Sequence, residues 1–380
     1  MKEKQKLKKI IVQSPGRINI IGEHTDYNDG YVLPAAIDKR IVMELKLNDT
    51  PTTVNLFAQN LDERFSFELN NFAPQKNGWP NYLMGVVAEL QKLGAKLHGF
   101  DAQFAGNVPI GSGMSSSASL SCSLAFALNE LFDLGFQKMQ LIKVAQFAEH
   151  NFVGTKCGIM DQFASMMGKL EEVILLDCRS LDYQYFPLEL GDYQILLLNT
   201  NVTHSLASSE YNKRQATCNE GVAILQKYLP SIQKLRDVQA ATLKQFEAQL
   251  PNHIYKRCQH VVTENKRTLA AAKAIHEKDH QLLGQLMYNS HFSLQNDYEV
   301  SCPELDFLVQ QTIDQDFVLG SRMMGGGFGG CTINIIAKEK ADEFVNRIST
   351  NYRKQFAQDL TPYLVNIAAG SRIVSADWEG

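Results

Sequence analysis

Two short apolar runs, Ile10–Val12 and Ile18–Ile21, predict a strand–loop or β-hairpin over the first thirty residues. Val32 to Leu47 alternates loosely between apolar and polar positions and reads as strands. Leu83, Val86, Val87 and Leu90 recur at helical spacing within Trp79–Leu93. Leu120, Leu124, Leu128 and Leu131 form a second helical stripe, and Leu141–Val153 predicts a third helix. The short runs Val173–Leu176 and Ile195–Leu198 read as buried strands. Helix is expected again from Ser205 to Tyr228 and from Val261 to Met287, and a strand over Cys331–Ala337. No repeat or low-complexity segment breaks this pattern.

At 380 residues the chain exceeds one ordinary core and suits two domains sharing a cleft. Pro187 and its polar neighbours follow a predicted strand, so the division is expected near 185, into 1–185 and 186–380. Hydrophobic residues make up 44% and charged residues 21%, as in a soluble globular protein. The net charge of −4 gives no footprint for nucleic acid. Lys2, Lys4, Lys6, Lys8 and Lys9 read as a solvated N-terminal arm. Only Ile10, Ile11 and Val12 follow it, too few for a signal peptide, and no run is long enough to span a membrane. Cys122, Cys157, Cys178, Cys218, Cys258, Cys302 and Cys331 are scattered, odd in number and without a C-x-x-C pair. Reduced thiols in a cytoplasm fit them better than disulfides or a zinc site.

Three stretches carry the chemistry. Ser14 to Gly30 places Arg17, Glu23, His24 and Asp26 within ten positions, framed by Gly16 and Gly22. Four such side chains fill a core poorly but suit a small hydroxyl-rich ligand, because carboxylates accept from hydroxyls and a guanidinium forks an anion. Asn107 to Ala118 is rich in glycine and serine and leads into a helix. Free N–H groups at a helix start bind anions, and serine hydroxyls cap the helix, bind phosphate or ligate Mg²⁺. A glycine turn with a serine N-cap explains the stretch equally well. It is not a Walker A loop. Gly325, Gly327 and Gly330 formally satisfy G-x-G-x-x-G, but a strand-like segment follows, so a dinucleotide fold is rejected for a tight loop or close strand packing. The third stretch is Glu149 to Gln162, where Asp161 lies among Ile159, Met160, Phe163, Met166 and Met167. A carboxylate there is paired, functional or the N-cap of the next helix. Glu149 reads as a metal ligand or a solvated residue, and His150 as an ordinary surface or core histidine.

Together these stretches resemble the galactokinases, a branch of the GHMP small-molecule kinase family, over almost the whole chain. Gly16–Tyr27 resembles the sugar signature, Gly111–Ala118 the ATP loop and Arg322–Cys331 the third motif, with Cys157–Gln162 between. The resemblance implies an α+β, two-domain GHMP kinase fold. Its N-terminal domain would be like ribosomal S5 domain 2 and its C-terminal domain ferredoxin-like, with the active site between them. The tail, 365–380, is a candidate to return to the N-terminal half. The resemblance further implies that ATP phosphorylates the anomeric hydroxyl of α-D-galactose in a cytoplasmic, monomeric enzyme. Glu23, His24, Thr25, Asp26, Gly158, Asp161 and Tyr211 would face galactose. Gly111, Ser112, Gly113, Met114, Ser115, Ser116 and Ser117 would wrap the triphosphate, with Trp79 and Tyr82 near the base. Ser117 and Glu149 would bind Mg²⁺. Asp161 would be the catalytic aspartate and Arg17 its neighbour. Ser112 and Met324 depart from common family residues without removing a required group. Relatives that phosphorylate N-acetylgalactosamine or other small molecules, and non-catalytic sugar sensors, are the competing readings. The intact Ser115–Ala118 stretch, Arg17 and Asp161 argue for an active enzyme.

Overall fold

The structure, a computed structural model, describes residues 7–76, 78–202 and 207–378. Lys2, Lys4 and Lys6 of the basic arm, and the Ser205 start expected for a helix, lie outside them. The strands in chain order are β1 (Leu7–Asn19), β2 (Tyr31–Val32), β3 (Pro34–Leu47), β4 (Thr53–Ala58), β5 (Glu63–Glu68), β6 (Phe100–Gly106), β7 (Glu172–Asp177), β8 (Tyr183–Pro187), β9 (Tyr193–Asn199), β10 (Val318–Met323), β11 (Cys331–Ala337), β12 (Thr361–Val365) and β13 (Arg372–Trp378). The helices are α1 (Pro80–Lys92), α2 (Ser116–Leu131), α3 (Lys138–Ala148), α4 (Met160–Met167), α5 (Ala207–Leu225), α6 (Ala240–Gln245), α7 (Asn252–His276), α8 (His280–Ser293), α9 (Pro303–Gln310) and α10 (Ala341–Phe356).

A six-stranded sheet runs β13-β1-β3-β6-β4-β5, antiparallel except for the parallel pair β4–β6. Helices α1 to α4 close over it, and their apolar stripes share one core with the strands. The basic arm is shorter than expected. Lys8 and Lys9 belong to β1, and Lys9 reaches Glu44 at 3.0 Å. A register shift between Pro15 and Arg17 interrupts the β1–β3 ladder. The extra residues belong to β3, where Ile37, Asp38 and Lys39 stand opposite the single residue Gly16, and Arg17 is the first β1 residue to pair beyond them. The edge strand β13 pairs antiparallel with β1, so the end of the described chain lies beside its beginning.

A second sheet, β10-β11-β9-β12, is antiparallel throughout. In chain order this is the 2-3-1-4 arrangement of a ferredoxin-like unit, with α5 to α9 and α10 as its crossovers. Leu196 and Leu198 face α10, whereas Ile195 and Leu197 join the main core, so both faces are covered. That explains why the strand reads as an unbroken apolar run. A small sheet, β2-β7-β8, lies beside the turn after β1.

The Val261–Met287 region is two helices rather than one. Lys278 adopts a left-handed φ of 58°, and Asp279 caps α8 by accepting from the Leu282 N–H at 2.9 Å. Likewise α3 stops at Ala148, and Glu149–Val153 forms a π-turn.

Candidate active site

The loop after β1 is held closed from within. Thr25 is fully buried, and its hydroxyl lies 2.8 Å from the Gly22 carbonyl and 2.6 Å from the Tyr31 carbonyl. Its own carbonyl accepts from the Gly30 and Asn28 N–H groups. Thr25 was expected against the sugar, but its side chain is spent on the loop. Gly22 has φ +105°, and a Cβ there would lie 2.8 Å from the Tyr31 carbonyl. Only glycine makes that turn without strain.

Glu23 is buried and accepts from Arg322 Nη2 at 2.6 Å and from the Gly325 N–H at 2.8 Å. Arg322 is fully buried and also donates to the carbonyls of Asn19, Ile20 and Met323. The pair therefore fastens β10 to the start of the loop. Removing either partner would leave a buried charge, a loss of about 3–5 kcal/mol. His24 places Nδ1 2.7 Å from the Tyr27 hydroxyl, with its ring tilted between Tyr211 and Tyr298. Burial, reinforced by the His260 and Arg214 charges, lowers its pKa to about 3, so the ring is neutral. Burial first, and the Asp161 charge second, raise Asp26 to about 7. Asp26 stands directly over Gly158, where a Cβ would fall 1.9 Å from its Oδ2.

The serine loop crosses from β6 to α2. Gly111 and Gly113 have φ +74° and +79°, and Ser115 is left-handed at +59°. Ser115 occupies the N-cap position of α2 but makes no capping bond. Its hydroxyl instead donates to Asp161 Oδ2 at 2.5 Å. The expected serine cap is therefore absent, and the first N–H groups of α2 keep the orphan character that binds anions. Ser112 is buried and turned inward to the Pro109 carbonyl, and the Met114 side chain is buried, so both offer only backbone to a ligand. The glycine hairpin between β10 and β11 packs on this loop, where a Cβ on Gly325 would lie 3.3 Å from Gly113 Cα. A cavity of about 230 Å³ opens between them, lined by Gly111, Gly113, Thr155, Tyr211, Gly326 and Gly327.

Asp161 lies one residue inside α4, whose N-cap is Ile159, so it is not the cap. Its Oδ1 accepts from Arg17 Nε at 2.8 Å. Arg17 is almost fully buried, and its Nη1 also donates to the Gly113 carbonyl. One guanidinium thus joins β1, the serine loop and Asp161. Glu149, in the π-turn after α3, is buried, and burial followed by the Asp161 charge raises it to about 7. Gln162 Nε2 donates to Glu149 Oε1 at 3.3 Å, and the nearby Ser117 and Cys157 side chains favour its charged form. Trp79 donates to Glu63 at 2.6 Å and meets Phe104 edge-on at 5.3 Å. Tyr82 is half-buried, and burial with the nearby Glu149 charge pushes its phenol up.

Arg322, Tyr298, His260 and Glu264 received no role from the sequence. Glu264 is fully buried and accepts from the Gly22 N–H at 3.0 Å, and His260 Nε2 lies 3.1 Å from the Glu23 carbonyl. Arg322 carried a usable signal, a charge inside the apolar run Val318–Met324. The others lie on α7 or just after α8 and carried none.

Residues 81–169 match the GHMP kinases N terminal domain, and 271–354 match the GHMP kinases C terminal domain. Residues 2–46 match the galactokinase galactose-binding signature. A galactokinase of Thermotoga neapolitana is 41% identical over 359 residues, spanning 94% of this chain and 98% of that protein. A galactokinase of Limosilactobacillus fermentum is 42% identical over 363 residues, 94% and 93% of the two chains. The crystal structure of Lactococcus lactis galactokinase complexed with galactose matches with TM-score 0.92 at 36% identity, covering 96% of this chain and 95% of that one. A Methanococcus jannaschii mevalonate kinase, 18% identical with TM-score 0.66 over 97% of this chain and 99% of its own, shares the fold alone. By full-length similarity and by the three motifs that build one cleft, the chain belongs to the galactokinase family of GHMP kinases.

Proposed function

We propose that this chain transfers the γ-phosphoryl group of ATP to the anomeric hydroxyl of α-D-galactose. The observation that carries the reading is Asp161, which Arg17 and Ser115 hold at 2.8 and 2.5 Å where the sugar loop meets the serine loop. Phosphoryl transfer asks a protein mainly for positioning and charge stabilisation. Asp161 accepts the proton of the attacking hydroxyl, late if the transition state is loose. Arg17 fixes the orientation of that carboxylate. Glu23, His24, Asp26, the Gly158 backbone and Tyr211 are assigned to the sugar. The backbone of Gly111–Ser117 is assigned to the triphosphate, and Trp79 and Tyr82 to the side of the base.

Among the described residues no three His, Cys, Asp or Glu converge on a metal site. Glu149 and Ser117 nevertheless fit Mg²⁺. Both offer oxygen, and a buried carboxyl raised to about 7 beside Asp161 calls for a cation. Mg²⁺ is commonly bound by one or two carboxylates plus substrate phosphates. When bound, it would offset triphosphate charge.

The division near 185 is proposed with the function, since β8 ends at Pro187 and the second sheet starts at Tyr193. The site proposed here takes no residue from a second copy, so a monomer would suffice. Free cysteines, and the lack of a helix long and apolar enough to cross a membrane among the described residues, are consistent with the cytoplasm.

The test is ADP release with Mg-ATP across galactose, N-acetylgalactosamine, arabinose and mannose. Turnover should be greatest with galactose, and preference for another sugar would reassign the substrate. Absence of ADP release with every sugar would favour a non-catalytic sensor.

A further inference from the structure

A buried chain of hydrogen-bonding groups runs behind His24. The Tyr27 hydroxyl lies 2.7 Å from His24 Nδ1, and the Tyr298 hydroxyl lies 2.7 Å from that of Tyr27. Cys218 Sγ lies 3.2 Å from the Tyr298 hydroxyl. All four side chains are buried. They come from three separate segments, namely the sugar loop, α5 and the π-turn Leu294–Tyr298 that follows α8. His24 itself has a left-handed φ of 63°, a conformation that a non-glycine residue keeps only where its surroundings impose it. Phosphoryl transfer as argued above requires none of Tyr27, Tyr298 or Cys218.

Each group in the chain owns one proton, and with both phenol protons kept on neighbours within the chain, as burial demands, it runs in one of two directions. In the first, His24 Nδ1–H donates to Tyr27, Tyr27 to Tyr298, and Tyr298 to the cysteine sulfur. In the second, the thiol and Tyr298 donate towards Tyr27, and Tyr27 donates to Nδ1. The first ends on sulfur, a weak acceptor. The second ends on a neutral imidazole nitrogen, a strong one. The second direction is therefore favoured. A neutral imidazole has a single N–H, and in this direction it sits on Nε2. That atom is buried without a hydrogen-bond partner among the described residues. The Gly326 backbone favours a proton on the ring, yet it leaves Nε2 without a bond of good geometry.

We propose that the Cys218–Tyr298–Tyr27 chain fixes His24 as the Nε2–H tautomer, making it a hydrogen-bond donor to a sugar oxygen. Tyr27 and Tyr298 are positioning residues that act through His24. The identity of the sugar rests on the function proposed above, whereas the tautomer does not. A site that donates at this point selects a ligand with an oxygen acceptor there and penalises one lacking it, because the buried N–H would stay unpaired.

The test uses the full chain labelled with ¹⁵N-histidine and long-range ¹H–¹⁵N correlation, with the His24 signals assigned by their loss in His24→Gln. Wild type should show a protonated Nε2 and an unprotonated Nδ1. In Tyr27→Phe the Nδ1 resonance should move, and the galactose KM should rise about 3–10-fold, the worth of one hydrogen bond. Tyr298→Phe should change both in the same direction but less, because Tyr27 keeps its own donor. Should Tyr27→Phe fail to fold, the wild-type spectrum and Tyr298→Phe still decide. A proton on Nδ1 in wild type overturns the proposal, as does a loss shared equally by galactose and ATP. No galactose turnover with Nε2–H in the spectrum would sink the functional reading and leave the tautomer standing. Normal turnover with Nδ1–H would do the reverse.

Discussion

Asp161 shows how little a carboxylate needs around it to become a base in a cleft. Two donors, Arg17 and Ser115, take one oxygen each and fix its plane. Asp161→Asn keeps the shape and removes the proton acceptor, so kcat should fall by at least about 100-fold. ATP binding, read by calorimetry, should persist, and near-normal kcat would remove the base assignment. Asp26 makes a different prediction. Its pKa is about 7 in the folded chain and 3.8 in its absence, so the folded state binds the extra proton between those values. The stability this group contributes is full below about pH 4 and is lost as pH rises towards 7. Asp26→Asn abolishes that loss. The melting temperature of the variant minus that of wild type should therefore grow from pH 5 to 7 and level off above. A difference that stays flat across this window would mean that Asp26 is already ionised at low pH.

The elements matter because they aim these side chains. Arg17 follows the register shift that the bulge in β3 makes against β1, the left-handed Ser115 turns its hydroxyl away from capping, and the π-turn after α3 turns Glu149 inward. A π-turn inside a helix commonly marks a functional site. The backbone at Gly158 is as exacting, since Asp26 fills the space a side chain would take. Gly158→Ala should raise the galactose KM about 10-fold or more, as displacing one carboxylate contact by ~1.4 kcal/mol would. The ATP KM should stay put, and an equal loss for both ligands would point to damaged folding instead. Helices α1, α2 and α3 and strands β7, β9 and β11 were visible in their periodicity. The break between α7 and α8 was not, because His276-Glu277-Lys278-Asp279 contains neither Gly nor Pro. The bulge in β3 and the π-turn were equally invisible, since Ile37–Lys39 and Glu149–Val153 contain neither Gly nor Pro.

Across the whole molecule, the two large sheets are joined where Arg322 on β10 reaches the carbonyls at the end of β1 and the carboxylate of Glu23. Behind β10 lies α8, at the closest backbone approach between them. A Cβ on Gly284 would fall 1.8 Å from the Leu319 carbonyl. Gly284→Ala should therefore cost about 1–3 kcal/mol, a drop of a few degrees in melting temperature by calorimetry. It should also weaken galactose through Arg322. An unchanged melting temperature would show that α8 can retreat from β10 freely.

The order of apolar and polar residues was enough to establish most helices and buried strands, because side-chain period follows directly from helix and strand geometry. The same order revealed three stretches whose polar residues suit a core poorly, and in these Arg17, Glu23, His24, Asp26, Ser115 and Asp161 were already candidates. Their division of labour was not in the sequence. That Ser115 serves Asp161 rather than its helix, that Thr25 serves its own loop, and that Arg322 and Tyr298 stand behind the sugar residues depended on contacts spanning up to some three hundred positions. Periodicity is a local property and carries no record of such contacts. Only the packing of one sheet against the other brings those residues within hydrogen-bonding reach.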